Sequence, residues 1–227
     1  MDIRFEVVQP ASHAGATCVW FVDAPEHAFD LAALGAGRDL AIVQVFVNNW
    51  EHALTPWPAP ALFRGQEDFD GAAAETLEAL IEGGPGATST PAGLDGVTHH
   101  AIAGYSLAGL FSLWSWVVRP DVFTACGCLS GSLWYEGWCD WLSTRAVQGE
   151  LLGTGRFAYL TLGTKEKRAA RPQMKRVEEC ARQTEELLRA AGAEVSFELT
   201  PGGHFDHADN RVSAGLATLD EWLGGIN

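Results

Sequence analysis

Residues 99–118 constrain the fold of this chain more than any other stretch. A short apolar run, His99-His100-Ala101-Ile102-Ala103, leads into Gly104-Tyr105-Ser106-Leu107-Ala108-Gly109, and residues 107–118 are then apolar nearly all round. A helix without a polar face must be buried inside a layered fold rather than laid on its surface. A strand that turns directly into such a helix forces the residue at the turn into a strained backbone conformation. Small residues are therefore required two places to either side. Gly104 and Ala108 occupy those places, so Ser106 is predicted at the tip of the turn with its hydroxyl presented at a strand end. Pro120 ends the helix and pushes Arg119 out of the helical region.

Around this segment, short β-branched or apolar runs alternate with helix-period segments to the C-terminus. Strands are predicted at 4–8, 17–22, 40–47, 99–103, 123–129, 157–162 and 194–199. That alternation implies an α/β chain with a mostly parallel central sheet and helices on both faces. Residues 41–47 are apolar on nearly every position, as a strand buried on both faces requires. Asp70 is placed to cap a helix bearing Ala73, Leu77, Leu80 and Ile81, stopped by Gly83 and Gly84. A longer surface helix is predicted from Pro172 to Gly192, with charged residues on its outer face. The Gly- and Pro-rich stretch 83–96 reads as a surface loop, not a boundary, because the alternation resumes after it. With 227 residues, 47% of them hydrophobic, the chain suits a single domain over 1–227.

Charge and cysteine usage narrow the partners. Fifteen Lys and Arg against 29 Asp and Glu give a net charge of −14, which repels phosphate backbones and anionic headgroups. No Lys/Arg cluster is dense enough to offset that charge, so neither nucleic acid nor a membrane is an expected partner. The stretch 1–10 lacks the basic and apolar regions of a signal peptide, and no apolar run is long enough to span a bilayer. Five cysteines cannot all pair and lack a disulfide framework's spacing. They are expected to be reduced and mostly buried, Cys126 and Cys128 as small hydrophobes in a strand. A cytoplasmic protein is the expectation; self-association as a homodimer is left open.

A serine hydroxyl is a weak nucleophile until a base takes its proton. After an exposed strand-end serine, the expected chain order is acid, then histidine. Gly202-Gly203-His204-Phe205 follows the last predicted strand and makes His204 the candidate base; His52, His99 and His100 precede the serine. Gly163-Thr164-Lys165-Glu166 leaves the sheet after strand 157–162, which makes Glu166 the candidate acid, ahead of Asp206 and Asp209 on the histidine's own loop. Acyl transfer also needs amide donors for an oxyanion: Leu107 after the serine, and Asn49 or Trp50 after strand 40–47. Five of the nine Trp, at 50, 57, 134, 138 and 141, lie in two turn-rich segments. In a parallel sheet both segments emerge at the serine's edge, so Trp50, Trp57, Trp134, Tyr135, Trp138 and Trp141 are predicted to form an aromatic wall over Ser106, with Trp57, Trp134, Tyr135 and Trp138 lining the substrate pocket.

The segments 104–111, 129–134, 162–166 and 202–205 resemble the nucleophile, following-strand, acid and histidine segments of the esterase D and enterochelin-esterase-like α/β-hydrolases, and 49–60 resembles the active-site loop of small bacterial members. The resemblance runs from about residue 40 to the C-terminus. It implies the α/β-hydrolase fold without a large lid domain, and a serine esterase acting on a small-molecule ester through Ser106, His204 and Glu166, with no cofactor and no metal. Ala108 departs from the usual glycine, and Glu166 stands where many relatives carry Asp; some relatives use a Ser/His pair alone. Two other classes compete. His204, Asp206, His207 and Asp209 are metal-ligand types within six residues, though Asp206 and Asp209 also suit the first turn of a helix. An acyltransferase or a weakly active binding protein could occupy the same scaffold.

Overall fold

The computed structural model describes residues 3–89 and 91–226. Met1 and Asp2 of the stretch 1–10, Thr90 of the predicted loop 83–96, and Asn227 lie outside the described residues. Seven strands form one sheet: β1 Ile3–Gln9, β2 Thr17–Asp23, β3 Leu40–Val47, β4 His99–Tyr105, β5 Ala125–Leu129, β6 Phe157–Gly163 and β7 Glu194–Thr200. Their spatial order is β1-β3-β2-β4-β5-β6-β7. Only the β1–β3 pair is antiparallel; the other five pairs are parallel. The mostly parallel expectation is met, with strand ends shifted by a residue or two. Phe123 and Thr124 precede β5 rather than belonging to it.

Five longer helices cover the sheet: α1 Ala73–Gly83, α2 Leu107–Val118, α3 Trp138–Val147, α4 Val177–Ala190 and α5 Ala208–Gly224. One face of the sheet packs Trp20, Val43, Ile102 and Leu160 against α1 to α4. The other face packs Val19, Ile42, Ala103 and Tyr159 against Val212, Leu216, Leu219 and Leu223 of α5. Every β2 and β3 residue is buried, because each strand has a neighbour on both sides and helices on both faces. Residues 107–117 of α2 are all buried, as its lack of a polar face requires. Its C-terminal carbonyl at Trp116 accepts a hydrogen bond from the buried Arg156 guanidinium, which also lies 3.9 Å from the Trp116 ring centroid.

Two helix expectations need correction. Asp70 caps nothing: it lies in the two-residue strand Phe69–Asp70 and accepts from His52 Nδ1 at 2.8 Å, and α1 starts at Ala73. The single helix expected over 172–192 is a four-residue helix, Pro172–Lys175, followed by α4. Arg176 falls between them, so the apolar period runs cleanly only from Val177 to Leu188.

Candidate active site

β4 ends at Tyr105, and Ser106 adopts φ 59° and ψ −120° before α2 begins. A side-chain-bearing residue rarely takes this conformation, which costs about 1–3 kcal/mol and persists only where its surroundings impose it. Here they do. The Ser106 amide donates to Leu129 O at 2.9 Å, and its carbonyl accepts from the amides of Gly109, Leu110 and Ser132 at 3.0, 3.2 and 3.0 Å. The turn is tight enough that a Cβ on Gly104 would stand 2.6 Å from Ala108 O and 2.7 Å from Ala108 Cβ. Glycine is therefore needed at 104, and a methyl group is accommodated at 108.

Beyond β7 the chain turns through Gly202 and Gly203 and brings His204 to the serine. His204 Nε2 lies 2.9 Å from Ser106 Oγ, and His204 Nδ1 lies 2.9 Å from Glu166 Oε2. With Nδ1 donating to the carboxylate, Nε2 is left as the acceptor for the serine hydroxyl. Glu166 opens a short turn after β6 and is 8% exposed. Its Oε1 accepts from the Gly163 amide at 2.6 Å and from Ser130 Oγ at 2.8 Å. Burial pushes this carboxyl up, but hydrogen bonds from His204, Gly163 and Ser130 together outweigh it, so its pKa stands below the ordinary value. Asp206 and Asp209 are exposed, and Asp206 accepts from the Gly203 amide at 2.8 Å, holding the histidine loop rather than the imidazole.

Arg211 escaped the sequence analysis. Its guanidinium is 1% exposed and donates to Thr200 Oγ1, Tyr105 Oη, Ser130 Oγ and the carbonyls of Pro201, Gly203 and His204 at 2.6–3.2 Å. One buried cation thus ties the histidine loop to the residue before the serine and to the serine that holds Glu166. It stands 3.8 Å from Glu166 Oε1. A Cβ on Gly163 would come within 2.6 Å of this guanidinium and 2.5 Å of Gly202 O, so the strand before the acid must end in glycine. A signal existed: Arg211 sits with Val212, Gly215, Leu216 and Leu219 on the buried face of α5, where a cation needs several partners. Ser130 is the other omission. It follows β5 at φ 44°, fully buried, its backbone turned so that Oγ meets Glu166.

At the N-terminus of α2 the Leu107 amide has no intrahelical acceptor. Asn49, at φ 52°, starts the helical turn Trp50–Ala53 beyond the end of β3. The Trp50 indole folds back to donate to Val47 O at 3.0 Å. Both segments leave the same edge of the sheet, separated only by β2.

The two aromatic segments meet, though differently from expectation. The Trp57 ring lies 5.9 Å from Tyr135 and 5.7 Å from Trp141, and its Nε1 donates to Glu136 O. Tyr135 and Trp138 are 2% and 0% exposed, and Trp138 Nε1 donates to Thr184 Oγ1 of α4. They are buried residues with their polar atoms bonded, Trp138 to α4 and Tyr135 through its hydroxyl to Trp57 O, rather than freestanding walls over Ser106. Trp57 and Trp134 stay partly exposed. Trp134 reaches a cavity of about 430 Å³ whose other side carries Gln173 and Arg176.

The Esterase family profile matches residues 27–208. An uncharacterized protein of Bacillus subtilis, YbbA, is 26% identical over 161 residues, 68% of this chain; the chain spans 60% of that protein's length. Among solved structures, the siderophore hydrolase EstA of Aspergillus nidulans is 20% identical with a TM-score of 0.68, over 97% of this chain and 90% of that one. An IroE-like serine hydrolase of Shewanella oneidensis is 18% identical with a TM-score of 0.75, over 96% of this chain and 75% of that one. At these identities the structures share the α/β-hydrolase fold with this chain.

Proposed function

The chain belongs to the Esterase family, and from that premise we propose that it is a carboxylic ester hydrolase working through Ser106, His204 and Glu166 on small soluble esters. The observation that carries the proposal is the unbroken line from Ser106 Oγ to His204 Nε2 and from His204 Nδ1 to Glu166 Oε2, 2.9 Å at each step, behind a serine held at positive φ.

In the proposed reaction, Ser106 Oγ attacks the ester carbonyl while its proton passes to His204 Nε2. Glu166, kept anionic by its donors, stabilises the imidazolium and fixes which nitrogen faces the serine. The Leu107 amide and an amide at Asn49 or Trp50 receive the developing oxyanion. The imidazolium then gives its proton to the departing alcohol, leaving an acyl group on Ser106. Water, deprotonated by the same imidazole, attacks that acyl group and restores the hydroxyl. No step requires a cofactor. Partly exposed Trp57 and Trp134 are the pocket residues of this reading.

The proposal extends to a single domain over the whole chain, since one sheet takes strands from residue 3 to residue 200. Among the described residues no helix is long and apolar enough to cross a membrane. Five unpaired cysteines suit a reducing cytoplasm, and the acidic charge argues against nucleic acid. A fluorophosphonate should add to Ser106, and Ser106→Ala should lower ester hydrolysis by on the order of 10³-fold or more while leaving the thermal transition in place. A label on another residue, or turnover retained by the variant, overturns the proposal.

A further inference from the structure

The acidic net charge hides a local reversal. Residues 165–176 contain six of the chain's 15 Lys and Arg, including all three lysines, and one of its 29 Asp and Glu. That one acid is Glu166, buried and committed to His204. The segment leaves β6 at the same sheet edge as Ser106. At one end the Lys165 amide donates to Gly202 O at 2.9 Å, beside the histidine loop. Farther on, the Arg171 guanidinium lies 5.2 Å from the centroid of Phe63, on the loop that continues from Asn49 and Trp50. Arg176 shares a cavity with Trp134, two residues past Ser132, whose amide holds the Ser106 carbonyl.

Two of the six cations are spent within the protein: Lys167 pairs with Glu178 at 2.8 Å and Arg176 with Glu179 at 3.0 Å. Lys165, Arg168, Arg171 and Lys175 are exposed and form no ion pair among the described residues. Of the nearby acids, Asp206 feels the charge of Lys165 while its Oδ2 accepts from the Gly203 amide, and Glu136 and Asp140 line the cavity that Arg176 shares; none of the three forms an ion pair with the four cations. On a surface with an excess of carboxylates, four unpaired cations on one rim form a positive arc that focuses the field there. The arc is one short segment, suited to a single anionic group rather than a phosphate backbone.

We propose that this arc receives a negatively charged group of the substrate, so that the preferred esters are anionic, carrying a carboxylate or a similar group on either the acyl or the alcohol side of the scissile bond. The proposal rests on the ester-hydrolase reading of Ser106 and names the substrate class of that site. Arg168 and Arg171 can bind a carboxylate in a fork, and Lys165 and Lys175 act as point charges that draw it in.

Two matched pairs of esters test this. 4-Acetoxybenzoate against 4-acetoxybenzamide places the charge on the alcohol side; mono(4-nitrophenyl) adipate against 4-nitrophenyl hexanoate places it on the acyl side. In at least one pair, the ratio of kcat/KM for the anionic ester to that for the neutral one should exceed unity. It should fall about tenfold between about 10 mM and about 300 mM salt. The triple substitution Arg168→Glu, Arg171→Glu and Lys175→Glu should lower the same ratio by a similar factor. The same pairs titrated into Ser106→Ala report binding without turnover. If wild type hydrolyses no ester, the reading of Ser106 fails, and tighter, salt-sensitive binding of the anionic member still supports the arc. Ratios in both pairs indifferent to salt and to charge reversal, with equal binding of both members, overturn the proposal.

Discussion

His100 and His204 mark opposite ends of the same sheet, and their surroundings make them different chemical objects. His100 stands near the start of β4, where its Nδ1 accepts the Trp20 indole N–H at 3.1 Å. Burial, with a smaller contribution from the charge of His99, pushes its pKa down to about 4. No carboxylate bonds to it among the described residues. His204 stands beyond the end of β7 with a carboxylate on one nitrogen and a hydroxyl on the other. The first imidazole is held neutral as a packing element. The second is oriented by the Glu166 carboxylate and faces the Ser106 hydroxyl. An acid alone does not set His204 apart, since His13 and His52 also face one; the serine hydroxyl on its other nitrogen does, and that is settled by which loops leave the sheet at the same edge.

The contrast is most directly broken at Glu166. Glu166→Gln keeps the shape of the contact but removes the counter-ion, and should lower kcat by on the order of 10²–10⁴-fold, whereas Asp206→Asn and Asp209→Asn stay within a few-fold. If Glu166→Gln hydrolyses esters at nearly the wild-type rate, His204 needs no acid and works as a Ser/His pair. A smaller effect is expected at Arg211, which positions the histidine loop without touching a reacting atom. Arg211→Lys keeps a charge but loses the fork, and should lower kcat by about tenfold with KM little changed, at about 2 kcal/mol of stability. A loss of stability with an unchanged kcat would make Arg211 a packing residue only.

The smallest effect concerns His100. Below its ordinary value of 6.5 the unfolded chain binds a proton that the folded chain refuses until about pH 4. Stability contributed at this position is therefore present above about pH 6.5 and lost as pH falls toward 4. Melting temperatures of wild type and His100→Asn, measured over that window, should converge as pH drops. Parallel curves mean that His100 titrates as it does in the unfolded chain.

Much of the site was legible because its parts are local. Gly104, Ser106 and Ala108 form a turn whose steric demands are met within five residues, and α2 announces its burial by having no polar face. Chain order then pointed to Glu166 and His204, which the fold brings together across 38 residues. Helix termini were less legible. Gly192 did mark the end of a helix, but Asp70, which looks like a cap in isolation, is drawn into a short strand and a contact with His52, and Arg176 splits the later helix near its start.

By itself the sequence determined the alternation of strand and helix, the place of the strand-to-helix turn at Ser106 and the acidic charge, since each is written in residue periods and counts that no neighbour can alter. Only the tertiary structure decided which polar groups share a buried space. Arg211 reaches from its own helix to the adjacent histidine loop and to the distant Tyr105 and Ser130, and Ser130 reaches Glu166 across 36 residues. Tyr135 and Trp138 are buried because α4 offers Trp138 a hydroxyl at Thr184 and Trp57 offers Tyr135 a carbonyl. A buried donor must find an acceptor, and where that acceptor lies is a property of the packed molecule, not of the local sequence.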